Sequence, residues 1–148
     1  MPNTESMDPA EPVKQYKAWR SAGFRIRQVG HDRKFARRYC QAMEAEGFKI
    51  SDQPQLHVIK SEGFRYIEHK AKVGCLYYFH AEPFEYCVSN VTAVADYDET
   101  VKYKKISETQ RIDVFDAAVF ATCRLLISTD KSAGFKRWLD AAKTDSKE

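Results

Sequence analysis

Residues 24–46, Phe-Arg-Ile-Arg-Gln-Val-Gly-His-Asp-Arg-Lys-Phe-Ala-Arg-Arg-Tyr-Cys-Gln-Ala-Met-Glu-Ala-Glu, change their hydrophobic period at Asp32. From Phe24 to Val29 apolar and polar side chains alternate, the period of a half-buried strand. After Asp32, Phe35, Tyr39 and Met43, with Ala36 and Cys40, fall on one helical stripe, and Arg33, Lys34, Arg37 and Arg38 line the rest. Gly47 stops that helix, and Gly23 stops an earlier one expected over 13–22. Helix, strand, acidic residue and helix in this order predict an α/β domain. Asp32 then stands at the carboxyl edge of a strand, where open sheets present side chains for chemistry.

The elements that follow are shorter. Phe48-Lys49-Ile50 and Leu56-His57-Val58-Ile59 are strand candidates, the second just after Pro54. Ser61-Glu62-Gly63 leads into a helix expected over 64–73, with Gly74 as its stop and Tyr77-Tyr78-Phe79 extended beyond it. The run 86–94 is rich in Val, Tyr and Thr and reads as a strand. Residues 101–106 would pair with it as a hairpin across the acidic turn Asp96-Tyr97-Asp98-Glu99. The last long helix is expected over 111–128, with Ile112, Phe115, Val119, Cys123 and Leu126 at helical steps. Residues 1–12, which hold three prolines, read as a disordered leader, 13–128 as the domain, and 129–148 as a short helix around Trp138 with a charged tail.

Composition narrows the function classes. A chain of 148 residues with 43% hydrophobic and 13% aromatic content can build one domain core. Its net charge is only +3, but 14–38 holds nine basic residues against the single acid Asp32, so that stretch carries +8 and the rest −5. The four cysteines, Cys40, Cys75, Cys87 and Cys123, match no paired metal-ligand spacing and predict free thiols. No apolar run approaches the roughly 20 residues of a membrane span, and the first residues have no signal-peptide pattern, which predicts a soluble intracellular protein. No glycine is followed by lysine, so the chain holds no Walker loop.

Three carboxylates are placed for chemistry. Asp32 suits a helix N-cap, worth on the order of 1 kcal/mol, and equally suits a hard divalent cation, since an acid among bases stays ionised. Asp113 and Asp116 fall three residues apart at the start of the last helix, on nearly one face, where acids also favour the helix dipole. An alanine-rich face (Ala117, Ala118, Ala121) would let that helix approach a sheet and carry Asp113 towards Asp32. Two-metal phosphodiester cleavage needs such convergent carboxylates. His31, His57, His69 and His80 show no metal-ligand spacing and read as structural or surface residues. The aromatic pairs Phe64 with Tyr66, Tyr77 with Tyr78 and Phe84 with Tyr86 read first as core packing and second as base-stacking platforms.

Four blocks, in order, resemble the carboxyl-terminal nuclease portion of tailed-phage terminase large subunits: residues 31–38 (His-Asp-Arg-Lys-Phe-Ala-Arg-Arg), 61–68 (Ser-Glu-Gly-Phe-Arg-Tyr-Ile-Glu), 85–91 (Glu-Tyr-Cys-Val-Ser-Asn-Val) and 111–117 (Arg-Ile-Asp-Val-Phe-Asp-Ala). The resemblance implies an RNase H-like α/β fold and metal-dependent endonucleolytic cleavage of concatemeric DNA with Mg2+ or Mn2+. It makes Asp32 and Asp113 metal ligands and Asp116 an auxiliary catalytic acid. Arg25, Arg27, Arg33, Lys34, Arg37 and Arg38, with Lys102, Lys104 and Lys105, would then bind phosphates. The implied partners are double-stranded DNA, an ATPase-bearing terminase chain, a small terminase and a portal, in the cytoplasm of a phage host. The family's first strand and first metal-binding aspartate have no match in residues 1–12, so the fold is expected to lack its first strands. A non-catalytic terminase-like module, for DNA binding, portal docking or regulation, and one half of a split terminase are the alternatives.

Overall fold

Asp8 starts the first helix by accepting the Ala10 backbone N–H at 3.0 Å. Helix α1 (Ala10–Ser21) therefore begins ahead of the expected start at 13 and takes in the last residues of the expected leader. It is followed by β1 (Val29–His31), α2 (Arg37–Ala45) and β2 (Ile50–Asp52). This is a computed structural model, which describes residues 8–32, 37–95 and 100–129. The expected Trp138 helix, the turn at 96–99 and Arg33 to Ala36 lie outside the described residues. Two compact units divide the chain, Met1–Gln53 and Pro54–Glu148.

In the first unit β1 and β2 run parallel, with Val29 opposite Ile50 and His31 opposite Asp52. Because α2 lies between them in the chain, this is a strand–helix–strand unit, the connection parallel strands require. Val13, Val29, Met43 and Phe48 form its buried core, with Tyr16, Ile26, Tyr39, Ala42 and Ile50 packed against it. The strand expected over 24–29 is shorter than its alternation predicted. Phe24 is 63% exposed and Ile26 alone of 24–27 reaches the core, so the alternation records one-sided packing of a segment outside the ladder. Likewise Phe48 of the second strand candidate is buried ahead of β2, whose ladder starts at Ile50. Gly47, which ends α2 as expected, takes φ +79°, a conformation open to glycine without steric cost.

The second unit contains α3 (His57–Lys72), α4 (Glu82–Ser89), β3 (Val91–Ala95), β4 (Val101–Lys105) and α5 (Asp113–Thr129). The expected hairpin is present: β3 and β4 are antiparallel, with Val91 opposite Lys105 and Ala95 opposite Val101. The last helix also lies where its period predicted. Two strand readings are corrected. Residues 57–59 form the first turn of α3, because Ile59, Gly63 and Phe64 share a buried helical face that outweighs the β-preference of Val58 and Ile59. Residues 86–89 belong to α4, which Pro83 opens in the first helical turn and which buries Cys87. Tyr77-Tyr78-Phe79 has no regular structure and is exposed.

Ile59, Phe64, Cys87, Phe115, Val119 and Cys123 form the second core. Its tightest point is where α3 meets α5. A Cβ at Gly63 would lie 2.5 Å from Cys123 Sγ and 2.9 Å from the Val119 carbonyl oxygen. The helices can approach this closely only because Gly63 has no side chain. The alanine face expected to meet a sheet does not do so in this unit: Ala117 and Ala121 are exposed, and α5 buries Phe115, Val119 and Cys123 instead. The chain is thus mixed α/β, and among the described residues its strands form two separate two-stranded sheets. No helix among the described residues is long and apolar enough to cross a membrane. Gly63→Ala should lower the stability of the second unit by about 2–3 kcal/mol, the scale of core overpacking. Urea unfolding followed by helical circular dichroism reads this change.

Candidate functional site

Asp116 and Asp113 begin α5 together but face different surroundings. Asp116 is turned inward: its Oδ1 lies 2.9 Å and its Oδ2 3.2 Å from Lys60 Nζ of α3. The Tyr103 hydroxyl of β4 donates to the same Oδ1. Lys60 also sits over two rings, 4.9 Å from the Phe120 centroid and 5.4 Å from that of Tyr103. Both carboxylate oxygens of Asp116 are therefore engaged in tying α3, β4 and α5 together. Asp113 is exposed in the first turn of α5.

The loop that delivers Asp113 is fixed from below. Asn90, 3% exposed at the end of α4, donates from its side-chain amide to the Arg111 carbonyl oxygen at 3.0 Å. Its own carbonyl accepts the Ile106 N–H at 2.9 Å, where β4 ends. One buried amide thus links α4, the hairpin and the residues just before Asp113. Ser61 adds a second tie, its hydroxyl accepting the Val101 N–H at 2.8 Å.

Asp32 lies in the first unit and follows β1 directly, exposed at the carboxyl end of the parallel pair. Beside it, His31 Nε2 contacts Asp52 Oδ1 at 3.0 Å, while His31 Nδ1 lies 3.0 Å from the Asp32 carbonyl oxygen. Register explains the pairing, because His31 and Asp52 are Cα partners at the ends of β1 and β2. Asp52 was missed in the sequence, although it ends its strand as Asp32 follows the other. Cys40 on α2 is close enough to feel Asp52: burial first, then the charges of Glu44 and Asp52, raise its thiol pKa. That thiol is held in its neutral form, unsuited to nucleophilic attack.

Of the basic residues, Arg25 and Arg27 are exposed on the segment leading to β1, and Arg37 and Arg38 are exposed at the start of α2. Lys102 and Lys104 are exposed on one face of β4, whereas Lys105 is half-buried on the other, opposite Val91. Arg33 and Lys34 lie outside the described residues. Asp32 belongs to the first unit and Asp113 to the second. Among the described residues no group of three His, Cys, Asp or Glu side chains is arranged to hold a metal ion. Asp32 and Asp113 nonetheless offer the exposed, hard oxygen donors that Mg2+ and Mn2+ take. Comparison with protein-family models, with curated proteins and with solved structures gives no match in any of the three.

Tyr103 makes the Lys60–Asp116 cluster sensitive to alkaline pH. Burial, then the hydrogen bond to Asp116 and its charge, push the phenol well above its ordinary value of 10.0. Above pH 10 the unfolded phenol ionises while the folded one stays neutral, so the unfolded state binds fewer protons and stability falls as pH rises. Tyr39 in the first unit is raised in the same direction, mainly by burial. Urea midpoints should hold up to about pH 10 and decline beyond it. Tyr103→Phe should cost about 1.5–3 kcal/mol at neutral pH, through the lost hydrogen bond to a charged group, and should lessen the alkaline decline.

Proposed function

We propose that this chain is a terminase-type nuclease segment with an RNase H-like fold, which cuts concatemeric double-stranded DNA with Mg2+ or Mn2+ during packaging. The reading rests chiefly on the four ordered sequence blocks. One observation links them to chemistry: the acid of the first block, Asp32, follows a strand at the carboxyl edge of a parallel pair, and that of the fourth, Asp113, is exposed at a helix start. Asp32 and Asp113 would be metal ligands, and a divalent ion when bound would activate water and neutralise charge at the scissile phosphate. The exposed Arg25, Arg27, Arg37, Arg38, Lys102 and Lys104, with Arg33, Lys34 and Lys105, would grip phosphates and set the register of the duplex. An ATPase-bearing terminase chain, a small terminase and a portal are the proposed protein partners, in the host cytoplasm.

A second reading, a non-catalytic DNA-binding or docking module of the same family, draws on the state of Asp116. With both oxygens engaged by Lys60 and Tyr103, that carboxylate supports the fold in the described arrangement. A split terminase, in which another chain supplies the ATPase and a further aspartate, makes the same use of Asp32 and Asp113.

Nicking of supercoiled plasmid with Mn2+ at low salt separates these readings. The nuclease reading expects nicking that Asp32→Asn and Asp113→Asn each reduce by at least about tenfold, since losing even a residue that orients a metal ligand costs that much. The module reading expects metal-independent, salt-sensitive binding without nicking. Nicking unchanged in both variants would refute the proposed site. In either reading, Arg25→Gln with Arg27→Gln should lower the slope of log affinity against log salt by roughly 2.

A further inference from the structure

An open cleft of about 510 Å3 lies in the second unit, walled on one side by α3 and on another by α4. On α3 the lining residues are Phe64, Ile67, Glu68 and Ala71, spaced i, i+3, i+4 and i+7. This is the stripe with which one helix packs on another, and it extends over two turns, roughly 10 Å. On α4, Phe84 and Val88 line the cleft at i and i+4. Two apolar helical ridges thus face the cleft, and no element among the described residues fills the space between them.

The cleft carries a charge preference as well as a shape. Among the described residues its only charged lining residues are Glu68 and Glu85, and no lysine, arginine or histidine lines it. Each acid has a cationic neighbour outside the lining, Lys72 Nζ at 3.0 Å from Glu68 and His80 Nδ1 at 2.7 Å from Glu85. Those neighbours are well exposed, and such surface pairs are worth little, so a cation arriving with a partner can replace them. Around the rim Leu76, Tyr78 and Val88 leave apolar area in water. Contiguous apolar surface rimmed by polar groups marks a protein-binding site.

We propose that this cleft receives a basic amphipathic helix of a partner protein. The helix lays an apolar ridge at i, i+3, i+4 and i+7 between α3 and α4 and presents lysine or arginine to Glu68 and Glu85. The site uses neither Asp32 nor Asp113, so it stands independently of the nuclease reading.

The test uses the full chain and two fluorescein-labelled model helices of roughly 16 residues, long enough to hold helical structure. One is built of leucine and lysine, the other of leucine and glutamate in the same pattern. The leucine–lysine peptide should bind saturably with one-to-one stoichiometry by fluorescence anisotropy, and the leucine–glutamate peptide at least tenfold more weakly. Ala71→Gln and Val88→Gln, at exposed positions on the two ridges, should each weaken binding several-fold with circular dichroism unchanged. Glu68→Lys with Glu85→Lys should invert the preference towards the leucine–glutamate peptide, which keeps the test decisive if either ridge variant fails to fold. Equal binding of both peptides, or no binding of the leucine–lysine peptide, would overturn the proposal. So would binding unaffected by all the variants. A concentration-dependent dimer of the chain, lost in the ridge variants, would assign the cleft to a second copy and overturn it too.

Discussion

The ion pair between Lys60 and Asp116, completed by the Tyr103 hydroxyl, is the interaction on which the second unit depends. It joins a residue of α3, one of β4 and one of α5, three elements brought together by contacts up to 56 residues apart. The pair is partly shielded, so removing either partner would leave a poorly solvated charge beside the aromatic rings of Tyr103 and Phe120. The same helices meet at Gly63 and Cys123, where the missing side chain of one lets the sulfur of the other reach the Ile59 carbonyl at 3.2 Å. Burial raises that thiol pKa to about 11, so Cys123 packs and does no acid–base chemistry at neutral pH. Electrostatics and close packing together fix how α5 lies on α3.

The acids at these helix and strand ends are held in different ways. Asp116 serves the fold, while Asp113, one helical turn earlier, opens α5 in solvent just after Arg111, whose carbonyl Asn90 holds. In the first unit Asp52, itself exposed, pairs with His31 across the parallel register, and Asp32 follows β1, also exposed. Asp32 and Asp113 are the acids that the terminase resemblance selects as metal ligands. The acidic apolar cleft between α3 and α4 has a separate chemistry, suited to a helix rather than to phosphate.

Much of this was legible in the sequence because it is local. The period of Phe115, Val119 and Cys123 located α5, and the acidic turn between two Val- and Tyr-rich runs located the hairpin. Gly23, Gly47 and Gly74 each follow a helix and each take positive φ, as their role as stops required. The misreadings were also local in origin. Val58, Ile59, Tyr86 and Val88 favour strands by propensity, yet the helices they sit in bury Ile59, Phe64 and Cys87, and packing decided between the two. The roles of Lys60, Tyr103, Asn90 and Asp52 were invisible because each is set by a partner distant in the chain. Sequence spacing alone put Asp113 and Asp116 on one face and gave no sign that one was already committed to Lys60.

The central claim of the proposed function is that Asp32 and Asp113 are both divalent-metal ligands. Titration of the chain with Mn2+, followed by the loss of free-ion electron paramagnetic resonance signal, tests it most directly. The account predicts saturable binding that Asp32→Asn and Asp113→Asn each weaken strongly. Binding that either variant leaves as it was would contradict it.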